Sequence, residues 1–355
     1  SENIHLGRIF RVKLTYDGEG DAESQPSSVV VKVTNAEPAL VSYAKSLKFF
    51  ERECYFYSKL APLLRSKCSI TNLPICYASH QHEDGRSYLV LEDLAPGSAY
   101  SLTEGCSNLE AQEAILQLAA LHAGFYKLNK EDPSLCSAEW AKLNATLFDH
   151  TNFEKYVHTF LTNHKEIIDS GWDEFLVDLT SSIHAILKEM EQGPQSIMHC
   201  DFKLENIFYG EATSEKETGR TSVLDWQTYQ MAGLVGMAAD VSNFLVTSLF
   251  IKQRRSHEKH LLNEYYNAFM TGTDLDSDEY TFEQFMRNFV LGIQWQCFMV
   301  VFSGGRFKHS SGADDESESA KQALNRFHVF YKRVAAAVQD HDIMGVSKTL
   351  ALSQN

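Results

Sequence analysis

Positive charge is what this chain has too little of. Its 355 residues carry 32 lysines and arginines against 47 aspartates and glutamates, a formal net charge of −15. With no basic stripe to displace counterions, neither nucleic acid nor an anionic membrane surface is expected as a partner. Paired cysteines are lacking as well. The seven cysteines are an odd number, and none stands in C-x-x-C spacing. That spells neither a zinc site nor a disulfide framework. Free thiols in a reducing compartment are expected, and with them a cytoplasmic location. No apolar run reaches the ~18 residues of a membrane span. No signal peptide opens the chain, and no internal repeat is visible. With 44% apolar residues the chain can still build a full core, as one large or two modest domains.

What is present is a short polar constellation. His199-Cys200-Asp201-Phe202-Lys203-Leu204-Glu205-Asn206 spells H-x-D-x-x-x-x-N, and an apolar strand ending in Asp225 follows soon after, in Ser222-Val223-Leu224-Asp225-Trp226-Gln227. Phosphoryl transfer from a nucleotide requires such a set. One carboxylate, Asp201, meets the proton of an attacking hydroxyl. A second carboxylate, Asp225, and the amide oxygen of Asn206 hold magnesium against the phosphates. Magnesium is a hard cation that prefers oxygen ligands, so Asp and Asn suit it where His or Cys would suggest zinc. The loop alone is also compatible with a His and an Asp that merely cap nearby backbone. Order is what favours the functional reading.

The upstream parts occur in the matching order. Val29-Val30-Val31-Lys32-Val33 is a β-branched run interrupted by one lysine, either an edge-strand lysine or an amine reaching the α- and β-phosphates. A helix is expected over 48–64, stopped by Pro62, with Phe49, Phe56 and Leu60 at helical spacing. It carries Glu53, the preferred partner for Lys32, and Glu51, the alternative. Tyr88 to Leu94 reads as an apolar strand running into a hinge, where the backbone of Glu92, Asp93 and Leu94 could meet an adenine edge. Ile9 to Tyr16 alternates as a half-buried strand. A phosphate-covering loop would lie over Ser1 to Arg8, yet that stretch has one glycine. Either the loop is atypical or the chain begins inside the lobe.

The remainder reads as mostly helical. Ser107-Asn108-Leu109-Glu110 is a capping box opening an amphipathic helix, with His122 on its apolar face as a core histidine bonded to backbone. Helical stretches are expected over 240–270, 281–302 and 317–338. Between the last two, residues 303–319 form a surface loop or a lid near the substrate. Gly18 to Ser28 and Gly210 to Arg220 are polar turns between strands. Aromatics cluster in the late helices, from Tyr265 to Phe302, as core or as the wall of an apolar substrate pocket. There is no Asp-Phe-Gly and no Ala-Pro-Glu, and too few residues separate Asp225 from Asp240 for an activation loop, which speaks against a protein kinase.

Taken in order, Lys32, Glu53, the 89–94 hinge, His199/Asp201/Asn206 and Asp225 resemble the aminoglycoside phosphotransferase and choline kinase superfamily. Glu53-x-x-Phe56-Tyr57, Leu91-Glu92-Asp93-Leu94, Leu118 to Ala123 and Asp225-Trp226-Gln227 resemble most its ecdysteroid kinase-like branch. The resemblance implies an α+β, bilobal, protein-kinase-like fold. A small antiparallel-sheet lobe over residues 1–94, with or without its first strand, would bind nucleotide. A larger, mostly helical lobe over 95–355 would carry the catalytic loop and the substrate helices. It also implies ATP and Mg2+ as cofactors and a small-molecule alcohol as substrate, a steroid-like or other apolar alcohol ahead of an aminoglycoside or choline. An inactive nucleotide-binding scaffold is the competing reading. By the same resemblance Asp201 is the base, Asn206 and Asp225 bind the metal, His199 orients the loop and Asp240 braces it. Three positions depart from the family pattern. Cys200 stands where glycine is usual, a glycine expected to serve tight packing; the thiol is either reactive or simply buried. Lys203 and Glu205 replace a commoner Trp and Asn, which points to an altered pocket. Lys203 is expected either to steady the transferring phosphoryl group or to lie on the surface.

Overall fold

The computed structural model describes residues 7–17, 25–143, 152–211, 219–306 and 318–344. The phosphate-covering stretch over 1–6, the tips of the two polar turns and most of the expected 303–319 loop lie outside the described residues.

The N-terminal strands form an antiparallel four-stranded sheet in the order β1-β2-β4-β3, from β1 (Gly7–Lys13), β2 (Ser28–Thr34), β3 (Cys76–Gln81) and β4 (Ser87–Glu92); β1, expected as half-buried, is an edge strand exposed along nearly its whole length. Lys32 sits in a central strand, paired with Ile9 on one side and Leu89 on the other. The edge-strand reading of this lysine is thereby excluded. Strand β3 has no clear alternation of apolar residues in Cys-Tyr-Ala-Ser-His-Gln and was not expected from the sequence.

Between β2 and β3 lie α1 (Pro38–Ser46), α2 (Phe49–Tyr55), a π-helical turn (Phe56–Leu60) and α3 (Ala61–Cys68). Phe49, Phe50, Phe56, Tyr57, Leu60 and Leu64 bury the inner face of this path. Pro62 does not stop the helix as expected. The π turn widens the backbone just before it, Ala61 N–H reaching back to Phe56 O. Pro62 then falls in the first turn of α3, where a missing N–H costs little.

The second part of the chain is helical with short strands inserted. The capping box forms as read: Ser107 Oγ accepts from Glu110 N–H at 3.2 Å, and Glu110 accepts from Ser107 N–H at 2.8 Å, opening α4 (Asn108–Glu131). Helices α5 (Phe153–Asn163) and α6 (Trp172–Met190) follow. The strands β5 (Gly97–Ser98), β7 (Ile207–Gly210) and β8 (Thr221–Val223) make one small sheet. The strands β6 (Ser196–Met198) and β9 (Gln230–Ala232) make another. The motif loop 199–206 runs from β6 to β7, and Asp225 follows β8.

The stretch expected as one helix over 240–270 is two. Helix α7 (Leu234–Asn243) ends in a π turn (Phe244–Ser248), the backbone extends at Leu249 and Phe250, and α8 (Ile251–Gly272) restarts. The break lets the Ser248 hydroxyl accept the Leu204 N–H of the motif loop at 3.0 Å, in a fully buried place where that N–H would otherwise lack a partner. Helices α9 (Phe282–Arg306) and α10 (Glu318–Asp340) complete the fold. Residues 282–305 are long and apolar enough to cross a membrane, but two thirds of their most apolar window is buried against the rest of the chain. Phe285, Phe289, Trp295 and Phe298 are buried there, and none of the late-helix aromatics lines the cleft described below, so their role is core.

Helices α7 and α9 touch at Gly292. A Cβ built there would lie 2.3 Å from Ser242 Oγ and 2.9 Å from the Ala239 Cα. Gly292→Ala would gain up to about 1 kcal/mol in helix propensity, but pushing backbone out of a packed contact costs roughly 1–3 kcal/mol. The expected outcome is a lower melting temperature, and an unchanged or higher one would refute the close contact.

Candidate active site

The site starts from a lysine that cannot be left alone. In a central strand, an ammonium needs a partner to offset its lost hydration. Lys32 Nζ has two: Glu53 Oε1 at 2.8 Å and Asp225 Oδ1 at 2.7 Å. Glu51, the alternative partner, pairs with Lys48 instead at 3.1 Å. Burial would lower the Lys32 pKa, but Asp225 and Glu53 outweigh it and hold the amine well above the ordinary lysine range. Glu53 is pushed up to about 6, because burial and the nearby Asp225 charge exceed the pull of Lys32. Asp225 goes the other way: desolvation is outweighed by Lys32, and its pKa is lowered.

Packing brings these three groups together. The Phe56 ring stacks on the Trp226 ring, centroids 3.8 Å apart and nearly parallel at 7°. Arg52 donates to the Tyr229 carbonyl at 2.6 Å from the same helix. The Glu53 helix is thus fastened to the Asp225-Trp226 turn, and Trp226 also lies 4.6 Å from the His199 ring.

The motif loop is held from behind. Asp240 is fully buried and accepts the His199 N–H at 2.5 Å and the Cys200 N–H at 3.0 Å. His122 lies behind it, its ring nitrogens toward the Tyr265 hydroxyl at 2.6 Å and Asp240 at 3.4 Å. It therefore serves a side-chain network rather than the backbone bond expected of a core histidine. The His199 ring ties the loop to the strand before Asp225: Nε2 donates to the Leu224 carbonyl at 2.9 Å, and Nδ1 accepts the Asp201 N–H at 3.3 Å. Thr228 Oγ1 adds a bond to the His199 carbonyl at 3.0 Å.

Cys200 corrects one expectation. Its φ is +68°, in the left-handed region, as is that of Asp225 at +62°. A side chain there costs roughly 1–2 kcal/mol, so glycine suits this position for backbone conformation rather than for tight packing. The thiol is buried, and burial, then the charge of Asp240, raise its pKa well above the ordinary range. It is an inert core thiol in this state.

Asp201, Lys203, Asn206, Lys32, Glu53 and Asp225 all line one cleft of about 1780 Å³. Lys203 Nζ bridges both Asp201 oxygens at 2.7 and 2.8 Å, with its side chain 25% exposed, so it is not a surface lysine. Desolvation is outweighed by Asp201, and the Lys203 pKa is raised. Asn206 Nδ2 donates to the Asp201 carbonyl at 2.8 Å and to its carboxylate at 2.9 Å. With its amide hydrogens engaged, the Asn206 oxygen is left to accept. Together with the Asp225 carboxylate it makes an all-oxygen donor pair, the chemistry a hard divalent cation takes.

The hinge is narrower than expected. The Glu92 N–H already bonds to the Ile75 carbonyl at 2.8 Å. Its carboxylate pairs with Arg220 at 2.5 Å. Asp93 is held by Ser28 at 2.7 Å and Arg11 at 2.9 Å. The Glu92 N–H is therefore taken, while Asp93 and Leu94 also line the cleft. Arg326 was missed by sequence reasoning: it lines the cleft from α10 and pairs with Glu205, whose other oxygen takes the Leu102 N–H at 3.4 Å. Nothing local in the sequence marks it, because its partner is 121 residues away.

Two outcomes follow. Asp240→Ala leaves two buried N–H groups without an acceptor, at about 1–3 kcal/mol each. Denaturant unfolding should therefore show a loss of roughly 2–6 kcal/mol, and a loss below 1 kcal/mol would remove Asp240 as the brace. Glu53 binds its proton more tightly folded than unfolded, so its contribution is fully present below pH 4.5 and lost as pH rises through about 6. The stability of the native chain relative to Glu53→Gln should fall by roughly 1–2 kcal/mol across that window; a flat difference would contradict the buried, raised carboxyl.

Comparison with known proteins adds the lineage. No curated protein matches this chain. Among solved structures, a GDP complex of a mutant aminoglycoside 2'-phosphotransferase-IIIa has a TM-score of 0.52 at 13% identity, covering 95% of this chain and 94% of that one. It shares the fold. An ethanolamine kinase from Plasmodium vivax has a TM-score of 0.46 at 15% identity, covering 93% of this chain and 82% of that one. A profile of the ecdysteroid kinase-like family matches residues 3–275. Spanning most of the chain, that match places this protein in the ecdysteroid kinase-like family.

Proposed function

We propose that this chain is an ATP- and magnesium-dependent kinase that phosphorylates a hydroxyl of a small, uncharged or apolar molecule. The observation that carries the reading is the Lys32–Glu53–Asp225 cluster at 2.8 and 2.7 Å, facing Asp201 across one cleft. An inactive nucleotide-binding scaffold would also use the amine; what supports transfer is Asp201 in the same cleft, a carboxylate of the kind that meets the proton of an attacking hydroxyl.

In this reading Lys32, held by Glu53, meets the α- and β-phosphates of the nucleotide. Asn206 and Asp225 would hold magnesium, which supplies neutralisation of the phosphate charge when bound. Asp201 accepts the proton of the substrate hydroxyl. Lys203 bridges the Asp201 oxygens in the free enzyme, and phosphate oxygens arriving beside it would draw its ammonium away. That frees a carboxylate lone pair for the hydroxyl and leaves a cation next to the transferring group. His199 and Asp240 touch no reacting atom; they keep the Asp201 backbone in place.

The acceptor is bounded by charge. Beyond Asp201 the wall carries Lys203, Glu205 and Arg326, and Glu205 is already neutralised by Arg326. Among the described residues of this wall no carboxylate is left to receive an amine, which weighs against an aminoglycoside or choline and supports a neutral alcohol, steroid-like or otherwise apolar.

Asp201→Asn should lower kcat by about 10²–10⁴, the usual worth of a general base, while nucleotide affinity stays within a few-fold. The measurement is phosphoryl transfer from labelled ATP to a panel of hydroxylated metabolites, read by mass shift. Turnover equal to the parent chain would exclude Asp201 as the base. Magnesium-dependent nucleotide binding with no transfer to any acceptor by either protein would favour a scaffold.

A further inference from the structure

On α10, away from its cleft-facing residue, three metal-seeking side chains converge. His164 caps the C-terminal end of α5, Glu166 follows two positions later, and His328 projects from α10. Each offers one ligand atom, and these atoms all lie within 4.8 Å of one another. His328 Nε2 is 3.8 Å from Glu166 Oε1. His164 is 4% exposed, and its Nε2 faces the Gly304 carbonyl at 3.4 Å. A carbonyl can only accept, so with the proton on Nε2 for that contact, Nδ1 would be the ligating nitrogen. Imidazoles that bind metals are commonly arranged so, one ring nitrogen anchored to a backbone acceptor and the other presenting its lone pair. The ring packs on Phe327 at 4.5 Å and Phe160 at 5.5 Å. This apolar wall limits solvent access and strengthens charge attraction at the site.

We propose that His164, Glu166 and His328 form a transition-metal site, matched best by zinc, that ties α10 to the end of α5. Two imidazoles and a carboxylate are a donor set zinc takes, with water in the fourth position. Magnesium prefers oxygen throughout, so the cation of the cleft is not the one that fits here. Zinc–ligand bonds of about 2.0–2.1 Å place tetrahedral donors about 3.3 Å apart. Closing the observed spread of up to 4.8 Å to that takes rotation of Glu166, which is exposed, and of His328, which is half-buried. Binding releases the proton of any protonated imidazole and forms three coordinate bonds; no oxidant or reductant is involved. The consequence reaches the cleft. Arg326 lies two positions before His328 on α10 and bonds Glu205. Residues two apart on a helix face different ways, so a metal on one side of α10 steadies the helix that supplies a cleft wall on the other.

The test uses the full chain, stripped with EDTA and titrated with Zn2+ and with Co2+ by calorimetry and absorption. One equivalent should bind with a cobalt spectrum free of thiolate charge transfer, and zinc in hundredfold excess over Kd should raise the melting temperature by at least about 3 °C. Glu166→Gln and His328→Gln should each weaken zinc at least about tenfold and remove that gain. Glu166 is exposed, so its variant reads the site without risk to folding. Unchanged affinity and unchanged melting gain in both variants, a thiolate band, or no binding at all would overturn the proposal.

Discussion

A single ammonium organises this molecule. Lys32 lies between two carboxylates that are 21 and 193 residues away along the chain. A buried cation with one anion missing is costly by several kcal/mol, so the sheet, the Glu53 helix and the Asp225 turn must take up one mutual arrangement. The stacked Phe56 and Trp226 rings make that arrangement a packing requirement as well as an electrostatic one. Where one interaction needs three distant segments at once, the cleft between them is defined by the same event.

The second constraint is backbone hydrogen bonding in the motif loop. Between β6 and β7 the chain leaves both sheets, and its N–H groups need acceptors that no ladder supplies. Asp240 takes two of them, Ser248 a third, and the His199 ring a fourth. Each acceptor comes from a different place: helix α7, the π turn after it, and the loop itself. The cleft residues of this loop are therefore held by residues that do not line the cleft. Two left-handed residues, Cys200 and Asp225, store backbone strain at the cleft and the loop behind it, and this surrounding network keeps them there.

How much of this was legible beforehand varies with the range of the interaction. The β-branched run carrying Lys32 and the Ser107 capping box were readable because their signals are local. Glu53 was readable because it shares a short helical motif with Phe56 and Tyr57. Strand β3 was not, since a short half-exposed strand carries little pattern. Pro62 misled because a π turn removes the conflict that proline usually brings. The break at Leu249 was hidden because neither glycine nor proline marks it in the sequence. Arg326 was invisible, as its partner is far along the chain and a surface arginine on a helix is ordinary.

The sequence by itself determined the chemical inventory and its order: a strand lysine, a helix glutamate, a hinge, an H-x-D-x-x-x-x-N loop and an aspartate at a strand end. Residue type and spacing are properties of the chain, and they suffice to name a lineage and the atoms available. Only the tertiary structure decided which atoms meet: that Lys203 bridges Asp201 rather than solvent, that Glu205 is taken by Arg326, that the Glu92 amide is already engaged, and that two histidines and a glutamate from separate elements face one another. The first and third depend on the local path of the backbone and the rotation of a side chain, and Glu205–Arg326 and His164–His328 on contacts between segments over a hundred residues apart, none of which a pattern of residue types contains.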